Sequence, residues 1–140
     1  MPEKSTTPDL PELTRRAIEA AGRCDFDAAM AFYAADSVWD GSAMGIGVYK
    51  GVATIRHELE AWTAAFEDFE IEIEEISDMG NGVVLSLTSQ SARPGGVSGD
   101  VQMPVIGVTQ WSDGKIVRTS FFMDADEARA AAERLARERR

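Results

Sequence analysis

The sequence predicts one α+β domain: a strongly curved antiparallel sheet wrapped around three N-terminal helices to form a cone with an internal pocket, plus a C-terminal helix. Apolar residues in the first half recur at helical spacing, as Ile55, Leu59 and Trp62 do. After residue 68 they alternate with polar residues, as in strands. Turns of hairpin length separate the strands, which excludes a parallel sheet built with crossover helices. Helices laid over a concave sheet leave a hollow between the two layers.

The length and charge of the chain exclude several classes of protein. Its 140 residues can bury one core without disulfides, and Cys24 is the single cysteine. The net charge of −10 argues against nucleic acid or an anionic membrane as partner. No apolar run approaches membrane-spanning length and the first residues lack a signal-peptide pattern, so we expect a cytoplasmic protein.

The N-terminal part is expected to be helical after a disordered leader. Residues 1–8 are polar with two prolines, and the folded domain is expected to span 9–140. Asp9 is expected to cap a first helix that ends near Gly22. Asp25 is expected to cap a second helix, with Tyr33 at the end of its apolar face.

Residues 36–58 form the junction between helices and sheet. They predict a short strand at 37–40, a glycine-rich bend at 41–47, and a third helix at 52–66 that Gly51 opens. A cavity is expected beneath this junction.

Four longer strands follow. The first begins with the alternation at Phe69, the next two are expected at 83–92 and 101–111, and the fourth at 116–123. A longer connection covers 92–97. Asp124 is expected to cap the closing helix.

Several rings and side chains could line the pocket and form a site for a flat apolar molecule. Core packing is the competing interpretation, which we favour for Trp62 and Phe121. Ser86, Thr88 and Gln90 alternate with apolar residues, and the sequence leaves open which set faces inward. The predicted ligand-pocket residues are Trp39, Tyr49, Trp62, Thr109, Trp111, Phe121 and Met123.

Asp40 and Tyr33 are the candidate catalytic residues. If Asp40 turned into an apolar hollow, its pKa would rise and it could act as a base, with Tyr33 supplying a hydrogen bond. Asp40 could equally point outward or cap the glycine bend. His57 lies off the apolar stripe of its helix and is expected at the surface. No spaced cluster of metal ligands occurs, so we expect neither metal nor cofactor.

The strand residues that alternate with the inward-facing ones predict an apolar patch on the convex face of the sheet. Ile106, Val108 and Phe122, with some of Leu85 and Leu87, would lie there. Because monomers seldom expose large apolar patches, we expect a symmetric homodimer through this face.

Three segments of the chain carry a resemblance to a known family: GRCDFDAAMAFYAADSVWDG, YKGVATIRHELEAW and QWSDGKIVRTSFFMDADEA. They resemble the SnoaL-like branch of the nuclear transport factor two superfamily, which has a cystatin-like cone fold. The resemblance covers about residues 8–135. Relatives include ketosteroid isomerases, polyketide cyclases, limonene-epoxide hydrolases and many proteins of unknown activity. The resemblance therefore implies the fold and a small apolar ligand, and leaves the reaction open.

The catalytic residues of these relatives are largely missing at the matching positions. The isomerase base falls at Gly41, one residue after Asp40, and its supporting Tyr falls at Leu59. The two oxyanion donors fall at Ala17 and Gly107. The acidic position of the hydrolases and cyclases falls at about Phe121, and the cyclase His falls near Thr109. Only an aromatic hydroxyl at the end of the second helix is kept, as Tyr33.

Three hypotheses follow. The first is a SnoaL-like protein that binds a small, mostly apolar molecule in its pocket. The second is an isomerase, cyclase or lyase acting on a polyketide- or terpenoid-like substrate with Asp40 as general base. The third is an interaction module whose hollow is filled by its own side chains.

Overall fold

The computed structural model describes residues 9–94 and 101–139. The predicted leader at 1–8 and part of the predicted connection at 92–97 lie outside these ranges. The helices of the described chain are α1 (Leu10–Gly22), α2 (Phe26–Met30), α3 (Val52–Ala64) and α4 (Ala125–Glu138). Its strands are β1 (Tyr33–Gly41), β2 (Gly47–Lys50), β3 (Phe66–Gly80), β4 (Val83–Pro94), β5 (Val101–Ser112) and β6 (Lys115–Phe122).

Aspartates cap three of the helices as the sequence predicts. Asp9 accepts a hydrogen bond from Glu12 N at 3.2 Å, and Asp25 accepts one from Ala28 N at 3.2 Å. Asp124 accepts from two backbone amides in the first turn of α4, at 2.8 and 3.1 Å. Each cap satisfies an N–H group that the start of a helix leaves without a partner, and so fixes where the helix begins.

The six strands form one curved sheet in the order β2-β1-β6-β5-β4-β3. Neighbouring strands run antiparallel except β1 and β6, which are parallel. This pairing is the difference from the predicted antiparallel sheet. Hairpin turns set the direction of strands that follow each other directly, whereas β1 and β6 are far apart in the chain and no local pattern relates them.

Two helices end earlier than the sequence predicts. α2 ends at Met30 and Tyr33 already begins β1, while α3 ends at Ala64 rather than at residue 66. Lys115 Nζ donates to Ala31 O at 2.7 Å, and Ile116 N donates to Phe32 O at 2.8 Å. The backbone carbonyl groups just after α2 therefore accept hydrogen bonds from the start of β6. The chain enters the sheet there instead of extending the helix.

The convex face of the sheet is covered by α4. Leu85, Ile106 and Val108 are buried against Ala128 and Ala132 of this helix. Alanines allow the helix backbone to approach the sheet closely. The apolar patch from which we predicted a homodimer interface is therefore mostly closed within one chain, and the predicted dimer loses this physical basis. The pattern of strand residues alone could not indicate which element would cover them.

Candidate functional site

A cavity of about 170 Å³ lies between the N-terminal helices and the concave face of the sheet, and it is partly open to solvent. β1, β6 and β5 contribute one side of its wall, β4 and β3 another, and α1 and α3 the cover. Met44 and Ile46 of the segment after β1 also line the cavity, which lies beneath the junction at 36–58 as expected. Among the residues that the structure describes, six aromatic side chains line the cavity, namely Tyr33, Trp39, Tyr49, Trp62, Phe69 and Phe121.

The polar side chains of β4 face the cavity. The sequence left open whether the polar or the apolar set of this strand faces inward. Ser86, Thr88 and Gln90 all line the wall, whereas Leu85 lies on the opposite face beneath α4. Ser86 Oγ donates to Gly107 O at 3.4 Å, and Thr88 Oγ1 donates to Val105 O at 2.6 Å. These hydroxyl groups are thus satisfied by the backbone of β5, and the wall can be polar without carrying a charge.

Trp39 stands at the centre of an aromatic cluster. Its indole Nε1 donates to Tyr33 Oη at 3.2 Å, and its ring meets the Phe121 ring edge-on with centroids 5.3 Å apart. Burial raises the pKa of the Tyr33 phenol, and hydrogen bonding with Trp39 and Thr119 lowers it in part. Burial thus reinforces the neutral form of the Tyr33 phenol.

Trp62 reaches the cavity from α3. Its Nε1 donates to Gln90 Oε1 at 3.0 Å, and its ring packs edge-on against Phe66 with centroids 5.3 Å apart. Trp62 is half-buried, and both it and Phe121 line the cavity, although core packing was the interpretation we favoured for them. Thr109 and Tyr49 also lie in the wall, as predicted.

Asp40 does not lie among the cavity-lining residues that the structure describes. It follows Trp39 in β1 and points to the other face, where it accepts hydrogen bonds from Ser42 N at 3.0 Å and Arg118 Nη2 at 2.6 Å. Bonds from the Ser42 hydroxyl and backbone, together with Arg118, lower the pKa of Asp40. This is the bend-capping orientation that the sequence allowed. A general base in the cavity would need a raised pKa and the opposite orientation, so the structure separates Asp40 from Tyr33.

Two other predicted pocket residues lie elsewhere. Trp111 is 3% exposed in the core under α1, where its Nε1 donates to Thr14 Oγ1 at 3.0 Å. A register shift between Gln110 and Trp111 changes how this end of β5 meets β6. Met123 is 49% exposed, and it borders a groove on the convex side because β6 ends at Phe122. Trp111 faces the same side of the sheet as the cavity but is covered by α1, whereas Met123 lies beyond the end of β6, where alternation no longer applies.

Sequence reasoning missed Glu58 and Phe69 in the wall. Phe69 begins the alternation of β3, which could have indicated it. Glu58 precedes Trp62 by four residues on α3, so the two share a helical face. His57 is exposed, as expected.

Within the described ranges, no group of three or more His, Cys, Asp or Glu side chains is placed to hold a metal ion. None of the helices in these ranges combines the length and apolar character needed to cross a lipid bilayer. The described residues of the cavity wall supply aromatic and aliphatic side chains, backbone-bonded hydroxyls and one acidic group.

A family model described as a SnoaL-like domain matches residues 14–119. This range runs from the second turn of α1 through most of β6 and thus includes almost the whole cavity wall. No curated protein matches the sequence.

Solved structures resemble the chain over most of its length. A protein of Catenulispora acidiphila with a ketosteroid isomerase-like fold, solved in complex with trimethylamine, has a TM-score of 0.72 at 16% identity, over 91% of this chain and 94% of its own. A putative SnoaL-like polyketide cyclase of Shewanella putrefaciens has a TM-score of 0.71 at 15% identity, over 92% and 98%. An epoxide hydrolase of M. tuberculosis has 0.69 at 22%, over 89% and 90%. At these identities the likeness shows the fold alone.

Proposed function

This chain belongs to the SnoaL-like domain family, and from that premise we propose that it binds a small, mostly apolar molecule in the cavity between its helices and its sheet. The observation that carries the proposal is the open space left inside the aromatic wall. A cavity of about 150 Å³ lined by apolar side chains is enough to accept benzene. The space of about 170 Å³ here suits a ligand of one ring with substituents.

The free space favours ligand binding over an interaction module whose hollow is filled by its own side chains. Large rings surround the cavity and still leave it open at one side. A wall with apolar surfaces and a few placed polar groups is the usual composition of a small-molecule site. The structural neighbour from Catenulispora acidiphila, which holds trimethylamine, also supports a small guest in this fold.

The enzyme hypothesis with Asp40 as general base is not part of the proposal. Asp40 is paired with Arg118 and hydrogen-bonded to Ser42 on the far side of the strand. Its lowered pKa makes it a weaker base than an unperturbed aspartate. An isomerase or cyclase reaction in this cavity would need a different proton acceptor.

Ligand-observed NMR with a library of one-ring and two-ring compounds tests the proposal. Ala21 lines the cavity from α1, so Ala21→Trp should fill the space and remove the binding of any hit. Ala53→Trp is the matched control, because Ala53 is exposed on α3. Hits that bind both variants equally well, or a library without hits, would contradict binding in this cavity.

The homodimer remains a prediction, and it now depends on a smaller exposed apolar surface. Beside α4 on the convex side, Met123 is 49% exposed and Leu87 and Phe122 are half-buried. A second copy could cover these side chains. Sedimentation velocity at micromolar concentration checks this, and a single 15.2 kDa species would rule the dimer out.

A further inference from the structure

The described cavity wall contains an acidic side chain and no basic one. Among the lining residues that the structure describes, Glu58 is the one acidic residue, and no Lys, Arg or His is present. The whole chain carries a net charge of −10, so the surroundings reinforce this sign. A cavity of this kind attracts cations and repels anions.

Glu58 has no hydrogen bond or ion pair within the described part of the chain. The nearest cation along α3, Arg56, is already occupied: its Nη1 lies 2.6 Å from Asp27 Oδ1 and its Nε lies 3.0 Å from Glu60 Oε2. Glu58 is half-buried and lies one turn before Trp62, which also lines the cavity. Its negative charge is therefore available to a guest that touches Trp62.

Four hydrogen-bond donors of the wall are used inside the protein. The indole N–H groups of Trp39 and Trp62 donate to Tyr33 and Gln90. The hydroxyl groups of Ser86 and Thr88 donate to backbone carbonyls, so lone pairs rather than protons remain for a ligand. At these four positions the wall offers acceptors and ring surfaces, and the faces of the rings bear partial negative charge.

We propose that the ligand of this cavity is an organic cation: a protonated or quaternary amine on a small apolar body, with the ammonium group between Glu58 and the rings of the wall. This rests on the proposed function and specifies the class of ligand. The aromatic surfaces hold the apolar body and attract the ammonium, and the carboxylate supplies the counter-charge. An anionic or enolate-forming ligand would meet no cation among the described wall residues.

Two isosteric probes separate charge from shape. The cation (3-hydroxyphenyl)trimethylammonium and the neutral 3-tert-butylphenol share their outline, so isothermal titration calorimetry on both measures the effect of the charge alone. We expect the cation to bind about tenfold more tightly than the neutral probe. Glu58→Gln should remove most of this preference while leaving the affinity of the neutral probe within about twofold, because Gln keeps the shape of the side chain.

Glu72→Gln is the matched control, since it changes the net charge equally at an exposed position of β3 away from the cavity wall. A remote surface charge is largely screened at physiological salt, so the preference should persist in this variant. Tighter binding of the neutral probe, or equal effects of the two glutamine variants, would overturn the cation proposal while leaving the proposed function intact. Failure of both probes to bind would overturn both.

Discussion

Asp40 and Arg118 join the parallel strands β1 and β6 on the outer face of the sheet, with Asp40 Oδ2 2.6 Å from Arg118 Nη2. The Asp40 side chain is 20% exposed and the Arg118 side chain 39%. Because no hairpin turn joins β1 to β6, this ion pair helps to hold the two strands in their parallel pairing.

Asp40→Asn should lower the free energy of unfolding by about 1 kcal/mol at pH 7, as expected for a partly exposed pair with hydrogen bonds. The folded-state pKa of Asp40 is lowered. Its contribution is thus complete above the unfolded-state value near 4 and is lost as the pH falls through the lower folded-state value. Urea denaturation at pH 7 and below pH 4 checks that the wild type and the variant converge in acid.

Asp36→Asn is the control for this experiment, because Asp36 lies on the same strand and is exposed. An equal loss in both variants at pH 7 would contradict a specific role for the Asp40 pair.

Tyr33→Phe should have opposite effects at neutral and alkaline pH. At pH 7 it leaves the Trp39 N–H without its acceptor, which costs about 1 kcal/mol. Burial raises the pKa of Tyr33, so the wild type loses stability as the pH rises above the unfolded-state value near 10. Denaturation between pH 7 and 11 should show a smaller alkaline loss in the variant, whereas parallel pH profiles would count against the buried phenol.

Gly82→Ala should be far more disruptive than Gly80→Ala in the same turn. Both glycines have positive φ, 82° and 91°, so alanine costs roughly 1 kcal/mol at either. A Cβ at Gly82 would lie 2.7 Å from Trp111 O, whereas at Gly80 nothing lies within 4 Å. The clash should add about 1–3 kcal/mol. Urea denaturation of both variants measures the difference, and similar losses would disprove the close approach.

Ala128→Asp should destabilise the protein by about 3 kcal/mol or more, because it places a charge beneath α4 against the sheet. Ala130→Asp, two residues further on the exposed side of the same helix, should change the free energy of unfolding by less than about 0.5 kcal/mol. Thermal denaturation compares the pair. If both variants behaved alike, α4 would not be the cover of the convex face.

The fold was largely predictable because its signals are local. Periodicity located the helices and strands, and the caps at Asp9, Asp25 and Asp124 followed from short-range hydrogen bonding. The parallel pairing of β1 with β6 was not predictable, since it joins Trp39 to Thr119 across most of the chain. The end of α2 was missed for the same reason: distant residues at the start of β6 bind the carbonyl groups there.

The cavity wall was predictable where strands are regular. Trp39, Phe121 and Thr109 lie in regular pairings, and their inward orientation is what alternation gives. Trp111 also faces inward, but α1 covers it, and the sequence does not show which inward residues a helix will cover. Met123 lies beyond the end of β6, where alternation no longer applies. Asp40 is held outward by Ser42, two residues away, and by Arg118, 78 positions away, and only the first contact is local.

The distribution of indoles gives the protein a built-in optical reporter. Of its three tryptophans, Trp39 and Trp62 line the cavity, while Trp111 is sealed in the core beneath α1. A guest that enters would change the fluorescence emission of the first two by direct contact and leave the third as an internal reference. Occupancy could thus be followed without a dye or a label.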